Sequence, residues 1–213
     1  MTEKSENAIR PLSDLLKEFQ AEIDGEQTSV GEILQAFHER GFGVVLFVFA
    51  LPMALPVPVP PGVNILLALP LLLLTAQQMM GRHTIWLPEK LKAKTIKTRS
   101  LNGILGKAIP KVIWMEGLTR PRLAFMTSGL SSHIIGLAGF IMALAICVPI
   151  PLSNTVPSFG IAIMAIGVLM RDGLAVLFGM LIGLTWVACL STILIFIGVE
   201  GVDAFKEAIK TWL

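Results

Sequence analysis

Few residues in the apolar part of this chain have the types and spacing that chemistry requires. The long uncharged segments contain no pair of carboxylates and no serine, histidine and acid that together would make a nucleophile. The histidines His38, His83 and His133 are dispersed and have no carboxylates at metal-ligand spacing, so we predict no metal site. Both cysteines lie in apolar sequence without a C-x-x-C spacing, which is typical of buried structural residues. The sequence therefore favours a protein that is not an enzyme and has no cofactor.

The polar residues best suited to binding lie beside two proline-rich interruptions of the apolar sequence. Residues 55–64 read L-P-V-P-V-P-P-G-V-N, and residues 148–157 read V-P-I-P-L-S-N-T-V-P. Proline lacks an amide donor, fixes φ and disfavours the helical conformation of the residue before it, so neither segment is helix interior. Structural roles at these breaks are predicted for Pro58, Pro60, Pro61, Gly62, Pro149, Pro151 and Pro157.

The sequence around the breaks is apolar enough to indicate a membrane protein. Of the 213 residues, 54% are hydrophobic and only 15% are charged, and the mean hydropathy is +0.75. No Asp, Glu, Lys or Arg occurs in residues 41–81, 123–170 or 173–199. Such runs are expected in a bilayer. We predict an all-α integral membrane protein with two proline-broken helical hairpins, either re-entrant or short spans, plus a final transmembrane helix and surface amphipathic helices.

Charge and periodicity divide the chain into six parts. They are cytoplasmic N-terminal amphipathic helices (1–40), the first hairpin (41–80), a basic amphipathic linker (81–133), the second hairpin (134–170), a final transmembrane helix (171–199) and an amphipathic tail (200–213). In the first part, Ser29 and Glu32 have the spacing of a capping box, which predicts a helix start. In the linker, Ser100 is expected to cap an amphipathic helix that Pro110 then interrupts.

The linker is strongly basic, and this decides its expected side of the membrane. Residues 81–122 hold ten Lys or Arg against Glu89 and Glu116 only. The positive-inside rule therefore predicts a cytoplasmic linker. A basic amphipathic stretch at that position also suits anionic lipid headgroups. Nucleic-acid binding is not predicted, because no recognisable binding module accompanies the charges.

The two breaks belong to an internal repeat with an offset of ninety-one residues. In each copy an apolar segment leads to a Pro-x-Pro break, then to a polar cap, and then to an apolar helix that ends near an arginine. Such pairs of interrupted segments are typical of membrane proteins with a site at the breaks. If both copies enter from the cytoplasm, the linker stays inside; if residues 104–115 penetrate the membrane, the copies are inverted. Lys107 and Lys111 favour the first arrangement, because each charge at a helix centre costs about 2.5–3.5 kcal/mol.

The caps and the arginines together make the predicted binding site. Helices that begin at Asn64 and Asn154 would direct their positive ends at the breaks, where an anion such as a phosphate could bind. Irregular backbone at membrane depth is tolerated only where protein or a water-filled cavity surrounds it. The predicted substrate-binding residues are Asn64, Ser153, Asn154, Thr155, Arg82 and Arg171. The alternative is that the prolines only form tight hairpin tips whose caps are satisfied locally.

Several motifs in this order resemble the exopolysaccharide synthesis protein ExoD family, over roughly residues 29–199. They are Arg40-Gly41-Phe42-Gly43, the L-P-V-P-V-P-P-G break, Gly81-Arg82 followed by Trp86-Leu87-Pro88, Pro149-Ile150-Pro151 with Asn154-Thr155 and Pro157, and Arg171-Asp172-Gly173. The resemblance implies a multi-pass protein of the bacterial inner membrane that is linked to exopolysaccharide production. It brings no settled set of catalytic residues.

Two functions stay open at this point. The chain is either a transporter or flippase for an anionic or lipid-linked substrate bound at the breaks, or a non-catalytic scaffold or regulatory partner of the polysaccharide machinery. The expected partners are membrane lipids with anionic headgroups, polysaccharide-synthesis proteins and a second copy of the chain. The G-M-L-I-G sequence of residues 179–183 suits a homodimer, and it suits packing within one chain equally well.

Overall fold

The computed structural model describes residues 11–23, 25–37, 41–55, 63–82, 84–118, 123, 127, 129–148, 153–198, 204 and 211, and the account below concerns these residues. They form the helices α1 (Leu12–Glu22), α2 (Val30–Phe37), α3 (Gly41–Ala54), α4 (Val63–Met79), α5 (Glu89–Lys92), α6 (Thr98–Leu118), α7 (Leu130–Cys147), α8 (Thr155–Met170) and α9 (Gly173–Ile197), and the strands β1 (Gln27–Ser29) and β2 (Thr95–Lys97). The predicted all-α class is confirmed apart from this one pair of short strands.

The two strands join the N-terminal part of the chain to the linker. They pair antiparallel, with Gln27 opposite Lys97 and Ser29 opposite Thr95. The hydroxyl groups of Thr28 and Thr98 lie 3.2 Å apart and are buried. Each strand has only three residues, which is too short to show the alternation of apolar and polar residues from which strands are predicted.

Helices α1 and α6 pack on each other and, together with β1, α2, α5 and β2, make a surface layer. Apolar residues at three- and four-residue spacing on each helix meet in one buried cluster, which also includes residues at the end of α8: Leu12, Leu16, Phe19, Leu101, Leu105, Ile109, Leu169 and Met170. Glu116 fixes the start of α1, because its carboxylate accepts hydrogen bonds from the Ser13 amide (2.9 Å) and hydroxyl (2.6 Å). The surface layer therefore sits where α8 ends.

Two local predictions in this layer have different outcomes. The capping box is confirmed: the Ser29 amide donates to Glu32 (2.8 Å), and the Glu32 amide donates to the Ser29 hydroxyl (3.2 Å). The predicted helix between Ser100 and Pro110 is wrong at both ends, because α6 begins at Thr98 and continues past Pro110 to Leu118. Pro110 is exposed and lies on the face of α6 opposite Leu101, so packing on α1 holds the helix together despite the missing hydrogen bond.

The apolar helices indicate membrane association. Among the described residues, α7 and α9 are long and apolar enough to cross a membrane, with mean hydropathies of 2.0 and 2.2. A third span results if the bent pair Val30–Ala36 and Gly41–Ala54 counts as one. Helices α4 and α8 are apolar but shorter.

Glycines allow these helices to approach closely, and α8 lies at the centre. A Cβ atom on Gly160 of α8 would lie 2.8 Å from the Gly179 carbonyl oxygen and 2.9 Å from the Gly183 Cα of α9. Gly183 also lies against Met142 of α7. Both glycines of the predicted G-x-x-x-G motif are therefore used for packing within the chain.

Candidate binding site at the proline breaks

The packing of the apolar helices brings the two proline breaks to the same end of the bundle. Gly43 near the start of α3 lies against Ala165 and Leu169 near the end of α8, so these two helices are antiparallel. Likewise Gly136 near the start of α7 lies against Gln78 and Met79 at the end of α4. The end of α3 is consequently beside the start of α8, and the start of α4 is beside the end of α7. These are the four helix ends that border the breaks.

The length of α9 shows where the end of the bundle that borders the breaks lies along that helix. α9 runs antiparallel to α8, since a Cβ on Gly167 would lie 2.6 Å from the Val176 amide nitrogen, while Gly160 meets Gly183. Pro157, in the first turn of α8, lines the same cavity as Val187 of α9. α9 continues for ten more residues to Ile197, roughly 15 Å at 1.5 Å per residue. The start of α8 therefore lies part-way along the longest apolar helix.

Three of the predicted binding residues lie at this start of α8. Thr155 is its first residue and Asn154 is in the N-cap position. Ser153 is buried, and its hydroxyl lies 2.8 Å from the Val148 carbonyl oxygen and 3.2 Å from the Asn154 side-chain oxygen. The expected cap is wrong in one respect: within the described residues the Asn154 side chain makes no capping hydrogen bond to the helix. Its oxygen is close to the Ser153 hydroxyl instead.

The other predicted residues are distributed differently. Asn64 is the second residue of α4, half-buried, and so it belongs to the break end but lies inside the helix rather than in the predicted cap position. Arg82 follows the end of α4 and Arg171 the end of α8. A 16-residue helix is about 24 Å long, so both arginines are remote from the breaks. The structure does not bring all six predicted residues together.

The prolines can be compared with prediction only in part. Pro58, Pro60, Pro61, Gly62, Pro149 and Pro151 lie outside the described residues. Pro157 is buried and is the third residue of α8, which agrees with a first-turn position where its missing amide costs little. The next residue supplies the first helical amide, since the Ser158 amide donates to the Asn154 carbonyl (3.0 Å).

Ser158, in the first turn of α8, is a buried polar residue that the sequence did not reveal. Its side chain is 0% exposed, and its hydroxyl has no hydrogen-bond partner among the described residues. A buried polar group without a partner is unfavourable and calls for an explanation such as a ligand. Ser158 lies on the same face of α8 as Ala165, seven residues further on, which packs against Gly43 of α3, so its side chain faces α3. The only sequence signal was a hydroxyl one residue after Pro157.

A small cavity lies beside the first turn of α8, on the side of α7 and α9. Its volume is about 100 Å³, and its walls are mostly apolar. The residues that line it are Ala145, Val148, Ser153, Pro157, Val187, Leu190, Ser191 and Leu194. We call it the α7–α9 groove.

A larger cavity, of about 890 Å³, lies in the surface layer and is not part of this site. Its lining comes from α1, β1, α2, the first residue of α3, the segment between α4 and α5, and the end of α5, and it includes Glu22, Gln35 and Lys92. None of the predicted binding residues lines it. We place the candidate site at this end of the bundle, because the N-termini of α4 and α8 lie there together with the predicted binding residues Asn64, Ser153, Asn154 and Thr155.

His133 has a structural role at the opposite end of the bundle. Its Nδ1 donates to the Met79 carbonyl oxygen (2.8 Å), and its ring lies against Gly81, whose φ is +75°. Only glycine adopts that φ readily and leaves room for the ring. The histidine thus joins the start of α7 to the turn after α4.

Comparison with known proteins agrees with the motifs in the sequence. The family model described as "Exopolysaccharide synthesis, ExoD" matches residues 12–192. An uncharacterized protein of Synechocystis sp. is 32% identical over 200 residues, which cover 92% of this chain and 92% of that protein. Protein ExoD of Rhizobium meliloti is 32% identical over 171 residues, which cover 78% of this chain and 70% of that protein. No solved structure matches. The chain therefore belongs to the ExoD family of exopolysaccharide synthesis proteins.

Proposed function

We propose that this protein is a multi-pass protein of the bacterial inner membrane that moves an anionic or lipid-linked substrate of exopolysaccharide synthesis through the site at the proline breaks. Family membership implies a role in exopolysaccharide synthesis. One observation carries the more specific proposal: four helix ends that border two proline breaks converge part-way along α9. In this proposal the protein is a carrier and not an enzyme.

The helix pairs support a two-fold internal repeat. Suppose that α3 and α4 of the first copy correspond to α7 and α8 of the second copy. The contact between α3 and α8 then corresponds to the contact between α7 and α4. Both pairs are antiparallel and closely packed at a glycine, Gly43 in one and Gly136 in the other. Since both breaks lie at one end, the two copies would enter the membrane from the same side. This supports the non-inverted arrangement.

The surface layer supports the proposed orientation. It packs against the end of α8 and so lies at the opposite end from the breaks. It contains α6 and β2, which carry much of the basic charge of the linker, and Lys107 and Lys111 are exposed. The positive-inside rule assigns such a layer to the cytoplasm. The breaks would then lie in the half of the membrane that faces away from the cytoplasm, and α9 would end on that side.

A scaffold is the second candidate function, and the exposed face of α6 favours it. Ile104 and Trp114 are 59% and 69% exposed, and they share that face with Lys107 and Lys111. An exposed apolar and basic face suits anionic lipid headgroups, and it also suits an acidic partner from the polysaccharide machinery. A second copy of the chain remains a proposed partner as well.

A transport assay separates the two candidates. Purified protein in liposomes should accelerate the movement of a fluorescent phospholipid between leaflets, measured by chemical quenching from outside. Asn64→Ala and Asn154→Ala should remove this acceleration and leave folding and insertion intact, whereas the matched variant Asn102→Ala in α6 should keep it. No acceleration over empty liposomes with folded protein would refute transport of this probe. The scaffold predicts instead that changes in residues 91–99 or 11–24 stop exopolysaccharide production in cells.

A further inference from the structure

We propose that α6 lies flat on the membrane surface and binds anionic lipid headgroups through its outer face. That face is defined by Ile104, Lys107, Lys111 and Trp114, which follow one another at the three- and four-residue spacing of one side of a helix. All four side chains are exposed. The inference concerns the attachment of the surface layer to lipid, and it holds whether the protein is a carrier or a scaffold.

The apolar side chains of the outer face are mostly exposed. Ile104 and Trp114 are 59% and 69% exposed, and Ile113 at the edge of the face is 47% exposed. Exposed apolar surface of this kind indicates a partner. Tryptophan is enriched at the headgroup level of membranes, because its ring is apolar and its indole N–H is polar. An interfacial position therefore accounts for Trp114 on a face that also carries two lysines.

The charges of α6 identify the partner as anionic. The helix carries Arg99, Lys107 and Lys111, all exposed, and none of them forms an ion pair with a carboxylate of the described residues. The one acidic residue in the sequence of α6, Glu116, is engaged with the amide and hydroxyl of Ser13. Cations without protein partners beside exposed apolar side chains are typical of helices that bind anionic lipid surfaces.

The outer face of α1 has the opposite charge, and this decides which side of the helix pair faces the lipids. Asp14, Glu18 and Glu22 recur at four-residue spacing and are exposed, and Lys17 is the only base in the sequence of α1. Because α1 and α6 pack through their apolar faces, their outer faces point away from each other. An anionic membrane surface attracts the outer face of α6 and repels that of α1.

Pro110 limits how deeply α6 enters the membrane. It is exposed and has no amide, so the Gly106 carbonyl lacks the donor that the helix would otherwise supply. A carbonyl without a donor is unfavourable in hydrocarbon, whereas the hydrated headgroup layer satisfies it. Lys107 and Lys111 set the same limit, because their charged ends must stay among the headgroups. We therefore expect α6 at headgroup level, with its apolar side chains at the boundary of the acyl chains.

A nitroxide at position 104 measures whether the outer face of α6 meets lipid. Full-length protein with both native cysteines replaced by serine carries the label on Ile104→Cys or, as the matched control on the outer face of α1, on Ala21→Cys, which is also exposed. Each is reconstituted in vesicles of phosphatidylcholine or of an equal mixture with phosphatidylglycerol. Collisions with oxygen, which concentrates in the membrane, are compared with collisions with a water-soluble nickel chelate on both sides. In the mixed vesicles we expect the oxygen-to-chelate ratio to be several-fold higher at position 104 than at position 21.

Charge variants test the role of the lysines. Lys107→Gln and Lys111→Gln should each lower the ratio of lipid-immersed to water-exposed label at position 104 about fivefold in the mixed vesicles. Lys17→Gln in α1 is the matched control and should leave this ratio unchanged. The melting temperature of the two α6 variants in neutral detergent should not fall, because both lysines are exposed and have no ion-pair partner among the described residues.

Two kinds of result would overturn the inference. If position 104 meets the chelate as often as position 21 in the mixed vesicles, the outer face of α6 faces water, and an acidic protein is then the better candidate for its partner. If position 104 is immersed equally with and without phosphatidylglycerol, or equally after both lysine substitutions, anionic headgroups are not what binds it. Both results are independent of transport, because the label is read with no substrate present.

Discussion

Gly160→Ala tests the close approach of α8 and α9 on which the depth of the site depends. The new Cβ would lie 2.8 Å from the Gly179 carbonyl oxygen and 2.9 Å from the Gly183 Cα, and both are backbone atoms that no rotamer change can move. Restoring an ordinary contact of 3.4 Å requires the helices to separate by about 0.6 Å. Overpacking of this kind lowers the free energy of unfolding by about 1–3 kcal/mol, and the better helix propensity of alanine raises it by up to about 1 kcal/mol.

We therefore expect Gly160→Ala to lower the free energy of unfolding by about 1–2 kcal/mol, which lowers the melting temperature of a chain of this size by about 2–8 °C. The assay is thermal unfolding of purified protein in detergent, followed by intrinsic fluorescence. Gly106→Ala is the matched control, because Gly106 lies in α6 and a Cβ there meets no atom of the described residues within 4 Å. That variant should be as stable as the parent or up to about 1 kcal/mol more stable. If Gly160→Ala behaves like Gly106→Ala, the packing of α8 against α9 is not as close as described, and the depth assigned to the breaks fails with it.

Three further expectations follow from local contacts. Asp172→Ala removes the carboxylate that accepts hydrogen bonds from two amides at the start of α9, at 3.0 and 3.3 Å. It should lower the free energy of unfolding by about 1 kcal/mol in the same melting assay, whereas Asp172→Asn keeps a capping oxygen and should lose less. An alanine variant as stable as the asparagine variant would contradict this cap. Glu116→Ala should release the start of α1 and speed amide hydrogen exchange across that helix while α9 stays protected; unchanged exchange would show that the contact with Ser13 is unimportant. In a chain with both cysteines replaced by serine, Lys111→Cys should react with an impermeant maleimide only after cells are permeabilised, and Phe196→Cys should react in intact cells. Labelling of Lys111→Cys in intact cells would reverse the proposed topology.

Several of the apolar helices are shorter than the hydrocarbon core of a membrane is thick. Helices of 14 and 16 residues, such as α3 and α8, are about 21 and 24 Å long, whereas the hydrocarbon core is about 30 Å thick. In the proposed topology their ends at the breaks lie within the membrane, and α9 continues past them. A polar first turn at that depth needs either a local partner or a ligand. The structure provides the local partner for Ser153 but not, within its described residues, for Ser158.

Local features could be read from the sequence because each depends on residues a few positions apart. The capping box of Ser29 and Glu32 spans three residues, and the apolar stripes of α1 repeat every three or four. The uncharged runs that indicate the membrane are also continuous in sequence. The prediction that Pro110 interrupts the helix was wrong because it considered only local sequence. A proline does weaken a helix locally, but the packing of α6 on α1, about ninety residues away in sequence, outweighs that effect.

The sequence by itself determined the helical class, the membrane character, the two proline breaks and the ExoD family. Only the tertiary structure decided which helix ends meet, because the register of α3 on α8 and of α4 on α7 is set by glycines that contact backbone more than fifty residues away. The same packing buries Ser158, uses the G-x-x-x-G motif within the chain, and separates Arg82 and Arg171 from the breaks. A binding site of this kind is made by contacts between distant segments, and a single sequence carries no direct record of them.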